Sequence, residues 1–221
     1  MKRLLIIILL TLVPAIAAHA DFYDPFEGAT SETLNADWTQ HEAFTDRVTI
    51  TTNKFRAGSK SVRFYWVNGD PLVQNGHRAE LQLANNSIGL SEFWYGISIN
   101  DGDRVTYNSW DLMNQWHSGV GDCAGPSPPM ALQNGGTDGK VIQVMSRGPT
   151  TCSTNPQTHV VGNADTNADK WIDYVFHIKF NQSGAGLLQI YMDGVLVNDD
   201  SGMNIGYSDA PNNYFKIGIY T

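Results

Sequence analysis

Apolar and polar residues alternate along most of this chain with a period of two, the spacing of a half-buried β-strand. The alternation is strictest at the end, over 214–220. Tyr214, Lys216, Gly218 and Tyr220 point one way, and Phe215, Ile217 and Ile219 the other. Over 77–83, Ala79, Leu81 and Leu83 form an apolar face opposite Arg78, Glu80 and Gln82. Over 110–117, Trp110, Leu112 and Trp116 oppose Asp111, Met113, Gln115 and His117. Over 171–180, Ile172, Tyr174, Phe176, Ile178 and Phe180 stay in phase. The same pattern predicts strands over 46–52, 61–67, 93–100 and 141–147. It also predicts 187–192 and 195–197, joined by Asp193-Gly194, a two-residue hairpin turn. Segments 21–43, 118–139 and 148–169 are polar, broken by Gly and Pro, and read as irregular.

After residue 20 there is no sustained helical periodicity, no repeat and no low-complexity linker. Many short strands between Gly/Asn/Asp turns predict an all-β fold. The expected architecture is a β-jelly-roll sandwich of two antiparallel sheets with a concave groove suited to an extended polymer.

Composition adds a compartment. Residues 1–20 have the form of a secretory signal: Lys2 and Arg3, an apolar run over 4–13, and Ala18-His19-Ala20 as a small-x-small cleavage site. The mature chain is then a single domain over 21–221, secreted or periplasmic, with no membrane span after cleavage. A net charge of −8 argues against nucleic acid as a partner. A basic cleft on an acidic protein still admits an anionic ligand. In an exported protein the pair Cys123 and Cys152 is most simply one disulfide, with two reduced thiols as the alternative. Zinc has no ligand cluster here.

Three strands share an anomaly. Each has an apolar face and, opposite it, functional groups at alternate positions: Arg78 with Glu80, Gln115 with His117, Lys216 with Tyr220. On one concave face they would assemble Arg, Gln, His, Lys and Tyr, a set that holds a carboxylate and moves a proton. Tyr214, Asn114 and Arg147 are further candidates for the cleft, and Gly218 reads as making room for a close ligand.

The segments Arg78-Ala79-Glu80-Leu81, Gln115-Trp116-His117 and Tyr214-Phe215-Lys216-Ile217-Gly218-Ile219-Tyr220 resemble, in order, the three signature blocks of the β-jelly-roll polysaccharide lyases. The Trp inside the second block resembles the heparin lyase and glucuronan lyase branch, related to the alginate lyases of the same fold. The resemblance implies β-elimination on a 4-O-linked uronic acid, with glucuronan first, then alginate or heparin-type chains. Arg78 and Gln115 would mask the substrate carboxylate, His117 would act as base and Tyr220 as acid. Lys216 would tune Tyr220 or bind substrate, and Glu80 would orient Arg78.

The resemblance needs no cofactor for chemistry. It implies a structural calcium site, for which Asp24 and Glu27 offer oxygen ligands. The expected partner is an anionic polysaccharide, met by a monomer. Relatives continue past this last strand, so the C-terminal end is expected to be incomplete. The alternative is a non-catalytic carbohydrate-binding jelly-roll module, which needs aromatic platforms but not this set of titratable groups. A glycoside hydrolase would need two carboxylates flanking the bond.

Overall fold

The computed structural model describes residues 24–29, 34, 37–83, 92–101, 110–118, 127–136, 140–148, 156–163, 169–207 and 213–221. The signal read over 1–20 and the pair Cys123 and Cys152 lie outside these residues. Every element among them is a β-strand. One sheet has seven strands in the order β1 (Trp38–Glu42), β4 (Arg78–Leu83), β13 (Asn213–Tyr220), β6 (Asp111–Ser118), β7 (Met130–Gly135), β8 (Val141–Ser146) and β9 (Gln157–Asn163). The other has four: β12 (Val195–Ile205), β11 (Asn181–Met192), β10 (Trp171–Lys179) and β5 (Glu92–Asn100). β2 (Val48–Thr51) and β3 (Ser61–Phe64) pair separately. All pairings are antiparallel, as the jelly roll requires.

The core lies between the two large sheets, where the predicted apolar faces meet. Trp116 is fully buried, with Phe176 at 5.1 Å, Phe215 at 5.2 Å and Tyr95 at 5.2 Å between ring centroids. Ala79, Leu81, Ile172, Phe176, Ile178 and Ile217 complete the same cluster. Each large side chain removed from water there contributes about 1.5–3 kcal/mol. The Asp193-Gly194 hairpin forms as expected, with both residues at positive φ (49° and 80°), the geometry of a type I′ turn.

Three strands arise where the pattern predicted irregular chain: β1, β7 and β9. β7 is buried at all six positions, including Gln133 and Asn134, so covered polar residues hide its alternation. β1 and β9 are the edges of their sheet, where pairing with one neighbour supports a weak pattern. β11 and β12 also extend beyond the predicted 187–192 and 195–197 through bulges.

A bulge also changes the phase of β6. The register against β7 slips between Leu112 and Asn114, and against β13 between Ile217 and Tyr220. Met113 therefore enters the core cluster, while Leu112 pairs with Tyr220 and Gln133 on the other face. The sequence pattern had the two exchanged. Gly218 sits at this irregularity with φ +134°, and a Cβ there would overlap the Ala79 carbonyl oxygen and Glu80 Cα on β4. Its lack of a side chain serves the close approach of β4, which corrects the reading that it clears space for a ligand.

Candidate active site

Pairing of β4 with β13 and of β13 with β6 brings the three anomalous faces together. They lie on the side of the seven-stranded sheet turned away from the core. Lys216 stands between Gln82 and Gln115, Gly218 beside Glu80, Tyr220 beside Arg78, and Tyr214 beside His117. β1 adds His41, whose register partner is Glu80.

Glu80 is the hub. Its carboxylate accepts from Arg78 Nη1 at 3.2 Å, from Lys216 Nζ at 3.4 Å and from the Gln115 amide. Glu80, Lys216 and Gln115 are each 2% exposed, although they point away from the core. This face is therefore recessed, and the three side chains with Arg78 form its floor. Two cations face one carboxylate, so the floor carries an excess positive charge in a poorly solvated setting. Burial pushes the Lys216 ammonium below its usual range, with Arg78 adding to the effect and Glu80 opposing it. Arg78 is held further by the Gln74 side chain and carbonyl, each at 3.3 Å.

Half-buried aromatic and imidazole groups stand around this floor. The Tyr220 ring lies 4.4 Å from the Arg78 guanidinium carbon, a cation–π contact. It also packs edge-on to Trp110, with centroids 5.6 Å apart. Gly76 leaves room for it, since a Cβ there would overlap the Tyr220 ring. At the other end, the Tyr214 hydroxyl is 3.2 Å from His117 Nδ1 and the two rings stack at 5.3 Å. His117 Nδ1 also lies 2.9 Å from the Ser118 carbonyl oxygen. A carbonyl only accepts, so Nδ1 carries the proton and Nε2 keeps its lone pair. Burial, assisted by Lys216, holds the His117 imidazole below its ordinary range. Burial raises the Tyr214 phenol, and the Glu80 charge adds to this.

His117 and Tyr220, the expected base and acid, stand at different points of the β13–β6 register. Tyr214 faces His117, whereas Tyr220 faces Leu112, five positions back along β6, or about 16 Å of strand. Lys216, expected near Tyr220, instead lies 5.7 Å from the Tyr214 ring centroid. Two further site residues fall elsewhere. Asn114 is in phase with Trp116 and pairs with Ile217 and Leu132, so it faces the core and not the cleft. Arg147 donates to the Pro128 carbonyl at 2.8 Å, and no described contact joins it to the cluster.

His41 falls outside the predicted strands, because the five residues of β1 show no apolar alternation. Its Nε2 lies 3.1 Å from Gln82 Oε1, and burial followed by Lys216 lowers its basicity. Asp24 and Glu27 are spent on protein donors. Asp24 accepts from Phe26 N and Trp38 Nε1, and Glu27 accepts from the Ser59 amide and hydroxyl and the Lys60 amide. As they stand they do not fit a calcium site, and no group of three or more His, Cys, Asp or Glu gathers among the described residues.

A family model described as polysaccharide lyase matches residues 30–221. Among solved structures, an endo-β-1,4-glucuronan lyase from the fungus Trichoderma reesei superposes with a TM-score of 0.65 at 16% identity, covering 78% of this chain and 74% of its own. An alginate lyase from Pseudomonas aeruginosa gives 0.56 at 14% identity, over 84% and 88%. An alginate lyase solved with an alginate trisaccharide gives 0.51 at 10% identity, over 83% and 77%. No curated protein matches in sequence.

Proposed function

The chain belongs to the polysaccharide lyase family, and from that membership we propose that it cleaves a 4-O-linked uronate polysaccharide by β-elimination, leaving an unsaturated uronate end. The observation that carries this reading is the recessed floor of Arg78, Lys216 and Gln115 around Glu80, with its excess positive charge beneath an imidazole and two phenols. The C5 proton of a uronate is acidic enough to remove only when the adjacent carboxylate is masked. A cationic floor of low polarity does this and stabilises the charge that develops. A base takes the C5 proton, the electron pair forms the C4–C5 double bond, the C4–O4 bond breaks, and an acid protonates O4.

In a 4-O-linked glucuronate the C5 hydrogen and O4 lie on the same face of the ring, so one group can act as base and then as acid. That supports Tyr220 for both steps, in a syn elimination. Arg78 sets a positive charge where the phenolate develops. The second reading takes His117 as base through its free Nε2, which its Nδ1 contact to Ser118 favours. Glucuronan is the first-choice polymer, on the Gln115-Trp116-His117 block and the glucuronan lyase among the fold relatives. Alginate and heparin-type chains come next. Export, read from the leader, gives access to such polymers.

Incubation with glucuronan, alginate and heparin tests the reading. Ultraviolet absorbance of the unsaturated end should rise in step with reducing ends, fastest on glucuronan. Reducing ends without the chromophore would mean hydrolysis and overturn it.

A further inference from the structure

The outer face of the four-stranded sheet, on the opposite side of the molecule from the cluster, carries an exposed indole that neither the core nor the proposed chemistry uses. Trp94 on β5 is 60% exposed. It lies flat on His177 of β10, with centroids 4.0 Å apart and planes at 8°. His177 is locked beneath it through both ring nitrogens, to Glu92 Oε1 at 2.7 Å and Gln189 Oε1 at 2.9 Å. Gln189 in turn donates to Asp199 at 2.9 Å. The chain Glu92–His177–Gln189–Asp199 thus crosses all four strands and fixes the ring from below. Beside it, Tyr191 approaches to 6.0 Å, and Gly96 leaves open space over the neighbouring row.

We infer that Trp94 is the platform of a second glycan-binding site, one that takes a neutral polysaccharide. A rigid, upward-facing indole is about the size of a pyranose ring and presents a π-face to its axial C–H groups. The Glu92 carboxylate, in the adjoining row of the same face, is a hydroxyl partner beside it. Charge selects the occupant. Glu92 stands in the adjoining row, Asp173 two rows on, and Asp199 at the far end of the chain that runs under the ring. Lys179 lies 3.9 Å from Glu92, and Arg56 is committed to Asp173. Each cation described beside the platform already faces a carboxylate, so a polyuronate finds no free charge partner here, whereas a neutral chain needs none. The site would hold the enzyme on a mixed polysaccharide matrix while the opposite face works on its acidic component.

Affinity electrophoresis of the full chain through gels containing hydroxyethylcellulose, glucomannan, soluble starch or polyglucuronate tests this. At least one neutral glycan should retard the wild type. Trp94→Ala should weaken that retardation at least about tenfold, Trp94→Phe should retain most of it, and lyase rate on soluble polyuronate should be unchanged in both. Thermal unfolding of each variant checks folding. The inference is overturned if no neutral glycan retards the wild type, or if Trp94→Ala migrates like wild type. Polyuronate as the glycan whose binding Trp94 controls, or self-association abolished by Trp94→Ala, overturns it equally. Activity on soluble polyuronate reports on the proposed elimination separately.

Discussion

The Tyr214 hydroxyl lies 3.2 Å from Nδ1 of His117, while Tyr220, the phenol that the sequence motif links to that histidine, stands against Arg78. The two tyrosines thus serve two ends of one cluster, and their removal has different consequences. Tyr220→Phe should lower kcat at least about 100-fold. Tyr214→Phe should lower it less and alter mainly the pH dependence set by His117. If His117→Ala is as damaging as Tyr220→Phe, and Tyr214→Phe is harmless, the histidine is the base. Steady-state kinetics on the preferred polymer decides.

Glu80 holds together a buried floor that would otherwise repel itself. Glu80→Gln keeps the shape but leaves Arg78 and Lys216 facing each other without the compensating charge. Removing one partner of a buried ionic cluster costs about 3–5 kcal/mol. The urea midpoint should fall accordingly and activity should be lost. Adding Lys216→Met should recover part of the stability but none of the activity.

His41 and His117 are both held neutral by burial, and Lys216 lowers both further. As pH falls, the unfolded chain therefore takes up protons at these positions before the folded one. Their contribution to stability is full above about pH 6.5, the unfolded imidazole value, and is lost as pH falls from there toward the depressed folded values. The urea midpoint should drop between pH 7.5 and 5.5. The double variant His41→Gln, His117→Gln should flatten that drop.

Gly218→Ala should destabilise the protein by about 2 kcal/mol or more, because φ +134° strains an L-residue and the new methyl meets the β4 backbone. Activity should fall with it, since β13 carries Lys216 and Tyr220. Chemical unfolding and the lyase assay measure both. A wild-type midpoint would show that β4 and β13 separate at little cost.

Legibility followed burial. β10 and β13 could be read because one face is apolar and the other is not, and β4 because Ala79, Leu81 and Leu83 are too regular to miss. β7 could not be read, because a strand covered on both faces loses its contrast once Gln133 and Asn134 fill buried positions. β1 could not, because five edge residues carry too little pattern, and His41 was lost with it. Asn114 was misplaced although the alternation already set it in phase with Trp116, since polarity alone suggested a cleft.

By itself, the sequence determined the fold class, the apolar faces of most strands, and the grouping of Arg78, Glu80, Gln115, His117, Lys216, Tyr214 and Tyr220 on three strands. Periodicity is a local property, and each block lies within a single strand. Which side chains meet was decided only by tertiary structure: His117 with Tyr214, Tyr220 with Arg78, and three donors on Glu80. Those contacts depend on pairing register between strands distant in sequence, and a one-residue slip of β13 against either neighbour would part them.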